Sequence, residues 1–140
     1  MIGYVDTSAL VKLLLRDEDD ADTVIGLIGA MDMSFTSRIV HPEARAGLAA
    51  ARRAGRLTAR DHATAKRTLD LALSSLRIVE LHPALANAAG DVAERFALRA
   101  LDAVHLASAL ALGRDTVVVT WDRALSAAAT AAGLGIAPSS

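Results

Sequence analysis

The sequence predicts an α/β fold, a three-layer α/β/α sandwich whose central sheet has four or five mainly parallel strands. Short runs of β-branched and other apolar residues alternate along the chain with longer segments that follow the helical period. Strands separated by helices are typical of parallel sheets, because the chain must cross over between parallel neighbours. The hydrophobic share is 53% and the aromatic share 3%, so the core must consist mainly of Ala, Leu, Val and Ile. No linker or internal repeat interrupts the 140 residues, which predicts a single domain over residues 1–140.

The order of the predicted elements follows from local patterns and capping signals. Buried or alternating apolar runs predict strands at 2–5, 33–36, 77–81, 116–120 and 134–136. Helical periods predict helices at about 9–15, 21–31, 42–54, 59–74, 83–97, 101–112 and after residue 122. Thr7 and Ser8 are expected to cap the first helix, and an acidic turn at 17–20 to precede the second. Pro42 suits the first turn of the third helix.

Several classes of protein are disfavoured by composition. The chain has no cysteine, which excludes disulfides, thiolate zinc sites and cysteine nucleophiles and fits a reducing cytoplasm. Lys12 and His105 interrupt the two longest apolar stretches, so we expect no membrane span. Met1 leads directly into a strand pattern, and no signal peptide is expected. We therefore expect a cytoplasmic protein.

The net charge of −1 says little about partners, but the charged residues are unevenly distributed along the chain. Between residues 38 and 67 the only acids are Glu43 and Asp61. The basic residues of this segment are Arg38, Arg45, Arg52, Arg53, Arg56, Arg60, Lys66 and Arg67. Such a surface could bind a polyanion, or it could be a solvated helical face. With so few aromatic side chains for base stacking, a nucleic acid would be held mainly by charge and shape.

Four acidic residues are expected at one edge of the predicted sheet. Asp6 directly follows the first strand, and Asp122 follows the run Val117-Val-Val. Ligands of open parallel sheets bind beyond the carboxyl ends of the strands, where helix N-termini also crowd. Asp102 starts a predicted helix and Glu43 lies in the first turn of another. All four could simply cap helices or complement helix dipoles.

Taken together, the four acids indicate a metal site. Carboxylates gathered at one edge raise each other's pKa values, and a divalent cation removes that penalty. Mg²⁺ and Mn²⁺ prefer oxygen ligands, whereas the sequence offers no thiolate and no paired-histidine spacing for zinc. Such a cation could polarise a phosphoryl oxygen and activate water. The hydroxyls of Ser8 and Thr120 could orient a ligand carboxylate or a phosphate, or could cap helices and turns.

Four segments, in order, resemble the PIN-domain family, and most closely the VapC-type toxins of bacterial type II toxin–antitoxin pairs. The segments are IGYVDTSAL from Ile2, Pro42-Glu43, LRALDAVHLASAL from Leu98, and VTWDRAL from Val119. Their spacing covers nearly the whole chain. The resemblance implies a single PIN-like domain and an endoribonuclease that hydrolyses RNA with Mg²⁺ or Mn²⁺.

By position, the resemblance also implies site residues and partners. Asp6, Glu43, Asp102 and Asp122 would be the catalytic and metal-binding acids, with Asp6 and Asp102 as inner ligands. Thr120 matches the hydroxyl position that often precedes the last acid. The family further implies a homodimer and a cognate VapB-type antitoxin whose C-terminal segment covers the active site.

Other interpretations stay open at this level. His105 lies three residues after Asp102 and could touch a phosphate, tune a ligand, or be a hydrogen-bonded, partly buried residue. Trp121 could stack on a base or pack beside a strand end. A phosphoryl-accepting signalling module is disfavoured, because the only lysines, Lys12 and Lys66, are not placed after a late strand. A non-catalytic binding protein with the same pocket is also consistent with the sequence.

Overall fold

The computed structural model describes residues 1–15 and 18–139, and it contains a five-stranded, entirely parallel sheet in the order β3-β2-β1-β4-β5. The strands are β1 Ile2–Val5, β2 Met33–Ser37, β3 Arg77–Val79, β4 Thr116–Val119 and β5 Gly135–Ala137. The helices of the described ranges are α1 Thr7–Leu14, α2 Glu18–Ala30, α3 Val40–Arg53, α4 Ala59–Ser74, α5 Pro83–Phe96, α6 Ala100–Ala111 and α7 Arg123–Ala131. The predicted fold class is confirmed, and the sheet is more regular than "mainly parallel".

The two faces of the sheet are covered by different helices, because successive strand residues point to opposite sides. Tyr4 of β1 and Val118 of β4 pack with residues of α6 and α7 in one core cluster. Val5 and Val119, the next residues along the same strands, pack with α1 and α2 in another. All four side chains have zero solvent exposure. Both faces of the central strands are therefore buried, as in a three-layer sandwich.

The first helix begins differently from the prediction. Its N-cap is Asp6, whose carboxylate accepts a hydrogen bond from the backbone N–H of Ala9, and not Thr7 or Ser8. Asp6 can cap because its backbone is still extended, as an N-cap requires. The Ser8 hydroxyl donates to Asp6 instead of capping the helix itself. Asp6 thus directly follows β1 and caps α1.

The starts of three other helices can be compared with the expected positions. Helix α3 begins at Val40, so Pro42 lies in its first turn, as expected. Proline is tolerated there because the first N–H groups of a helix have no intrahelical acceptor. Helix α2 begins at Glu18, so Asp19 and Asp20 of the expected acidic turn are helical, and Asp17 lies outside the described residues. Helix α4 is capped by Thr58, whose hydroxyl accepts a hydrogen bond from the N–H of Asp61.

No helix within the described residues is long and apolar enough to cross a membrane.

Candidate active site at the carboxyl edge of the sheet

The parallel pairing of β1 with β4 brings two functional side chains together. Val5 and Val119 are register partners, so Asp6 and Thr120, the next residue of each chain segment, lie side by side. The Thr120 hydroxyl donates to Oδ2 of Asp6 at 2.6 Å. The Thr120 Oγ1 atom also accepts from the backbone N–H of Asp122 at 2.9 Å. Thr120 therefore links the ends of the two central strands.

Asp6 is buried and fully hydrogen-bonded. Only 3% of the residue is exposed. Its Oδ1 atom accepts from the Ala9 N–H at 3.0 Å and from the Ser8 hydroxyl at 2.8 Å, while Oδ2 accepts from Thr120. Burial raises the pKa of Asp6, although the hydrogen bonds from Thr120 and Ala9 oppose the shift. Ser8 and Thr120 thus orient this carboxylate, which is one of the two roles considered for them.

Glu43 lies in the first turn of α3 and is held through one oxygen. Its Oε1 atom accepts from the Thr7 hydroxyl at 2.7 Å and lies 2.8 Å from Nε2 of His105. Burial alone would raise the pKa of Glu43, but the hydrogen bonds from His105 and Thr7 bring it below its ordinary value. No described residue donates to Oε2, so this oxygen is free for a ligand.

Asp102 and Asp122 face the open part of the site. Both line a cavity of about 310 Å³ together with Glu43 and Arg99. Asp122 caps α7 by accepting from the Leu125 N–H through Oδ1 at 2.8 Å, which leaves Oδ2 unbonded. The Asp102 carboxylate takes no hydrogen bond from any described residue. Of the four acids, Asp102 therefore has the fewest hydrogen bonds from described residues.

The negative charges of the other three acids act on Asp102. Burial raises the pKa of Asp102, and the negative charge of Asp122 raises it further, with smaller contributions from Glu43 and Asp6. A protonated His105 would act in the opposite direction. Such mutual repulsion is the situation that a bound cation relieves. The predicted acids are therefore electrostatically coupled, with three of them on one cavity and Asp6 at the end of β1.

The donor set fits a hard cation by its chemistry. Glu43, Asp102 and Asp122 line the same cavity, and each has a carboxylate oxygen that takes no hydrogen bond from a described residue. Carboxylate oxygens suit Mg²⁺ or Mn²⁺. Among the described residues, however, no three His, Asp or Glu side chains already surround one point. Cation binding would therefore have to draw these carboxylates closer together.

Residues beyond the four acids also contact or line the site. The Thr7 hydroxyl donates a hydrogen bond to Glu43, a contact that the sequence indicated only by placing Thr7 next to Asp6. Arg99 lines the cavity without an ion pair to any described carboxylate. His105 is hydrogen-bonded as expected, but it is buried more deeply, with 3% exposure. Trp121 is half-buried and packs beside the end of β4, and Nζ of Lys12 lies 5.9 Å from its ring centroid.

Comparisons with known proteins agree with this architecture. The family model for the PIN domain matches residues 3–131. Ribonuclease VapC45 and ribonuclease VapC49, each from a strain of Mycobacterium tuberculosis, are both 44% identical over 136 residues, which cover 96% of this chain and 94% of theirs. Among solved structures, PAE2754 from Pyrobaculum aerophilum is similar with a TM-score of 0.72 and 29% identity, over 97% of this chain and 92% of that one.

A second solved structure has the same fold at lower sequence identity. It is VapBC2 from Rickettsia felis, bound to a DNA fragment from its promoter. The match has a TM-score of 0.68 and 17% identity, and it covers 97% of both chains. The family model and the two Mycobacterium relatives span most of the sequence, including all four acids of the site. The chain therefore belongs to the PIN-domain family, among relatives of the VapC type.

Proposed function

We propose that this protein is a metal-dependent endoribonuclease that acts as the toxin of a toxin–antitoxin pair. The observation that carries the proposal is the cavity lined by Glu43, Asp102 and Asp122, each with a carboxylate oxygen that takes no hydrogen bond from a described residue. The two relatives at 44% identity are ribonucleases by name, which supports RNA as the substrate class. When bound, Mg²⁺ or Mn²⁺ supplies neutralisation of phosphate charge and activation of water.

The four acids contribute differently to the proposed metal site. Asp102 offers two unbonded oxygens, while Glu43 and Asp122 offer one each. Asp6 would complete the set from the end of β1, where a cation would have to replace one of its present hydrogen bonds. The hydrogen bonds that remain would hold the Asp6 carboxylate in place at the end of β1.

Substrate binding is supported by arginines at the rim. Arg99 lines the 310 Å³ cavity and also a neighbouring cavity of about 370 Å³, which it shares with Asp102, Asp122 and Arg123. Both arginines are exposed, and neither pairs with a described carboxylate. A guanidinium beside a carboxylate cluster can bind a phosphate that the carboxylates alone would repel. We place the RNA backbone along this rim.

The partners and setting are part of the same proposal. A VapB-type antitoxin is supported by the fold shared with VapBC2, and by relatives of the VapC type. A homodimer, a cytoplasmic location and one domain over residues 1–140 rest on the family resemblance and on the cysteine-free sequence. Sedimentation of the purified chain, alone and with a co-expressed antitoxin, measures whether the chain forms a dimer and whether it binds the antitoxin.

RNA cleavage by the purified protein tests the proposed activity. We expect cleavage with Mg²⁺ or Mn²⁺, no cleavage with a chelator, and loss of activity in Asp6→Ala and Asp102→Asn. Asp91→Asn is the matched control, because Asp91 is an exposed acid that lines a different cavity, between α5 and α7. Cleavage that persists in the chelator, or in Asp102→Asn at the wild-type rate, would overturn the assignment. Metal binding without cleavage of any RNA would instead favour a non-catalytic binding protein.

A further inference from the structure

A buried chain of hydrogen bonds runs from the centre of the sheet to the candidate site. Tyr4 lies on β1 with zero exposure, and its hydroxyl is 2.7 Å from Nδ1 of His105 on α6. The other ring nitrogen of His105, Nε2, is 2.8 Å from Oε1 of Glu43 on α3. Three elements that are distant in sequence are therefore connected through one imidazole.

The geometry determines where the imidazole proton lies. Oε1 of an ionised Glu43 can only accept, so Nε2 of His105 must carry a hydrogen. In a neutral ring Nδ1 is then an acceptor, and the Tyr4 hydroxyl donates to it. Tyr4 thus selects the Nε2–H tautomer of His105.

The consequence falls on the two oxygens of Glu43. Both donors, the Thr7 hydroxyl and the His105 ring, meet at Oε1. The carboxylate is fixed from α1 on one side and from α6 on the other, and Oε2 is the oxygen left for the cavity. Since His105 is 97% buried, water does not compete for this contact.

We propose that Tyr4 and His105 are positioning residues of the acidic site, which hold Glu43 so that Oε2 faces a bound divalent cation. The cation belongs to the proposed function, but the hydrogen-bond chain exists without it. Buried partners that orient a metal ligand contribute roughly 10- to 100-fold to metal affinity in other sites. Neither residue touches the substrate or the cation.

A packing role alone makes a different prediction. The Tyr4 and His105 rings also make an edge contact, with centroids 5.8 Å apart and planes at 68°. Tyr4→Phe keeps this ring contact and removes only the hydroxyl. If packing were the whole role, Tyr4→Phe would leave the His105 tautomer and the Glu43 carboxylate unchanged.

Nuclear magnetic resonance of the metal-free protein separates the two roles. In the wild type, the ¹⁵N shifts of His105 should report the Nε2–H tautomer, and Tyr4→Phe should move the Nδ1 resonance. The Glu43 carboxyl ¹³C resonance should move in His105→Leu and return toward the wild-type position in His105→Gln, whose amide N–H can replace Nε2–H. Thr116→Val is the matched control, because Thr116 Oγ1 is a buried hydroxyl on β4 without a described partner. It should move neither resonance.

Mn²⁺ affinity provides the second readout. We expect Tyr4→Phe and His105→Leu to weaken Mn²⁺ binding by about 10-fold or more, with partial recovery in His105→Gln. An Nδ1–H tautomer in the wild type, or ring and carboxyl resonances unchanged by Tyr4→Phe and His105→Leu, would overturn the inference. A wild-type protein that binds no Mn²⁺ would count against the proposed function, and the resonance measurements would still decide the positioning role.

Discussion

Asp6 and Asp102 occupy opposite extremes of one site. Asp6, at the end of β1, is 3% exposed and receives hydrogen bonds at both carboxylate oxygens. Asp102, in the first turn of α6, is half-buried and receives none from the described residues. The difference separates two tasks of an acidic side chain: Asp6 stabilises the fold at the strand end, whereas Asp102 remains available to a ligand.

Local structure explains this difference. Asp6 is extended and serves as an N-cap, so its carboxylate turns back onto the helix N–H groups. Asp102 lies in the first turn of α6, whose N-cap residue Arg99 makes no side-chain capping bond. The dipole of α6, and not a hydrogen bond from a described residue, therefore stabilises its negative charge. Its pKa is raised accordingly, by burial first and by Asp122 second.

The largest expected effect is the loss of RNA cleavage in Asp102→Asn. A metal ligand that stabilises transition-state charge by several kcal/mol corresponds to a rate loss of at least about 100-fold. Urea unfolding without metal should show unchanged or slightly higher stability, because the repulsion from Asp122 is removed. A stability loss comparable to that of Asp6→Ala would show that the two acids do not differ as described.

Asp6→Ala should reduce stability as well as activity. The substitution removes the α1 cap and leaves the hydroxyls of Ser8 and Thr120 without their acceptor, a loss of roughly 1–3 kcal/mol. Urea unfolding of the metal-free protein measures this. Activity lost with wild-type stability would mean that the strand-end hydrogen bonds contribute little to the fold.

Arg99→Gln should affect RNA binding more than the chemical step. An exposed guanidinium contact with a phosphate contributes on the order of 1 kcal/mol, so KM should rise by roughly three- to tenfold with kcat nearly unchanged. Raising the salt concentration should reduce the difference between variant and wild type. Equal KM values at low salt would remove Arg99 from the proposed RNA path.

The smallest expected effect concerns Asp122, which both caps a helix and lines the cavity. Asp122→Ala removes the α7 cap and should destabilise by about 1 kcal/mol, whereas Asp122→Asn keeps a good capping group and should not. Both substitutions remove the charge and should weaken metal binding similarly. Thermal unfolding and Mn²⁺ titration of the pair check these expectations, and equal stability of the two variants would contradict the capping role.

Much of the fold was predictable because it depends on local periodicity. The parallel sheet and the crossover helices follow from apolar runs separated by amphipathic segments, and the strand ends were correct to within one or two residues. The cap expected at Thr7 and Ser8 was wrong, and the capping role considered for Asp6 is the one that the structure shows. Pro42 lies in the first turn of α3 as expected, at the third helical position.

The site was only partly predictable for a related reason. Asp6 and Asp122 follow strands, so the topology of a parallel sheet places them at one edge. Glu43 and Asp102 were assigned to the same edge through predicted helix starts and, more decisively, through family resemblance. The contacts of His105 with Tyr4 and Glu43 join residues 101 and 62 positions apart, and no local pattern encodes such pairs.

Calorimetric titration with Mn²⁺ tests most directly whether the carboxylates around Asp102 bind a divalent cation. We predict saturable binding to the wild type and to Asp91→Asn, and an affinity at least about tenfold weaker in Asp102→Asn, since one of the ligands is lost. Equal affinity in the wild type and in Asp102→Asn, or no binding to the wild type, would contradict the account.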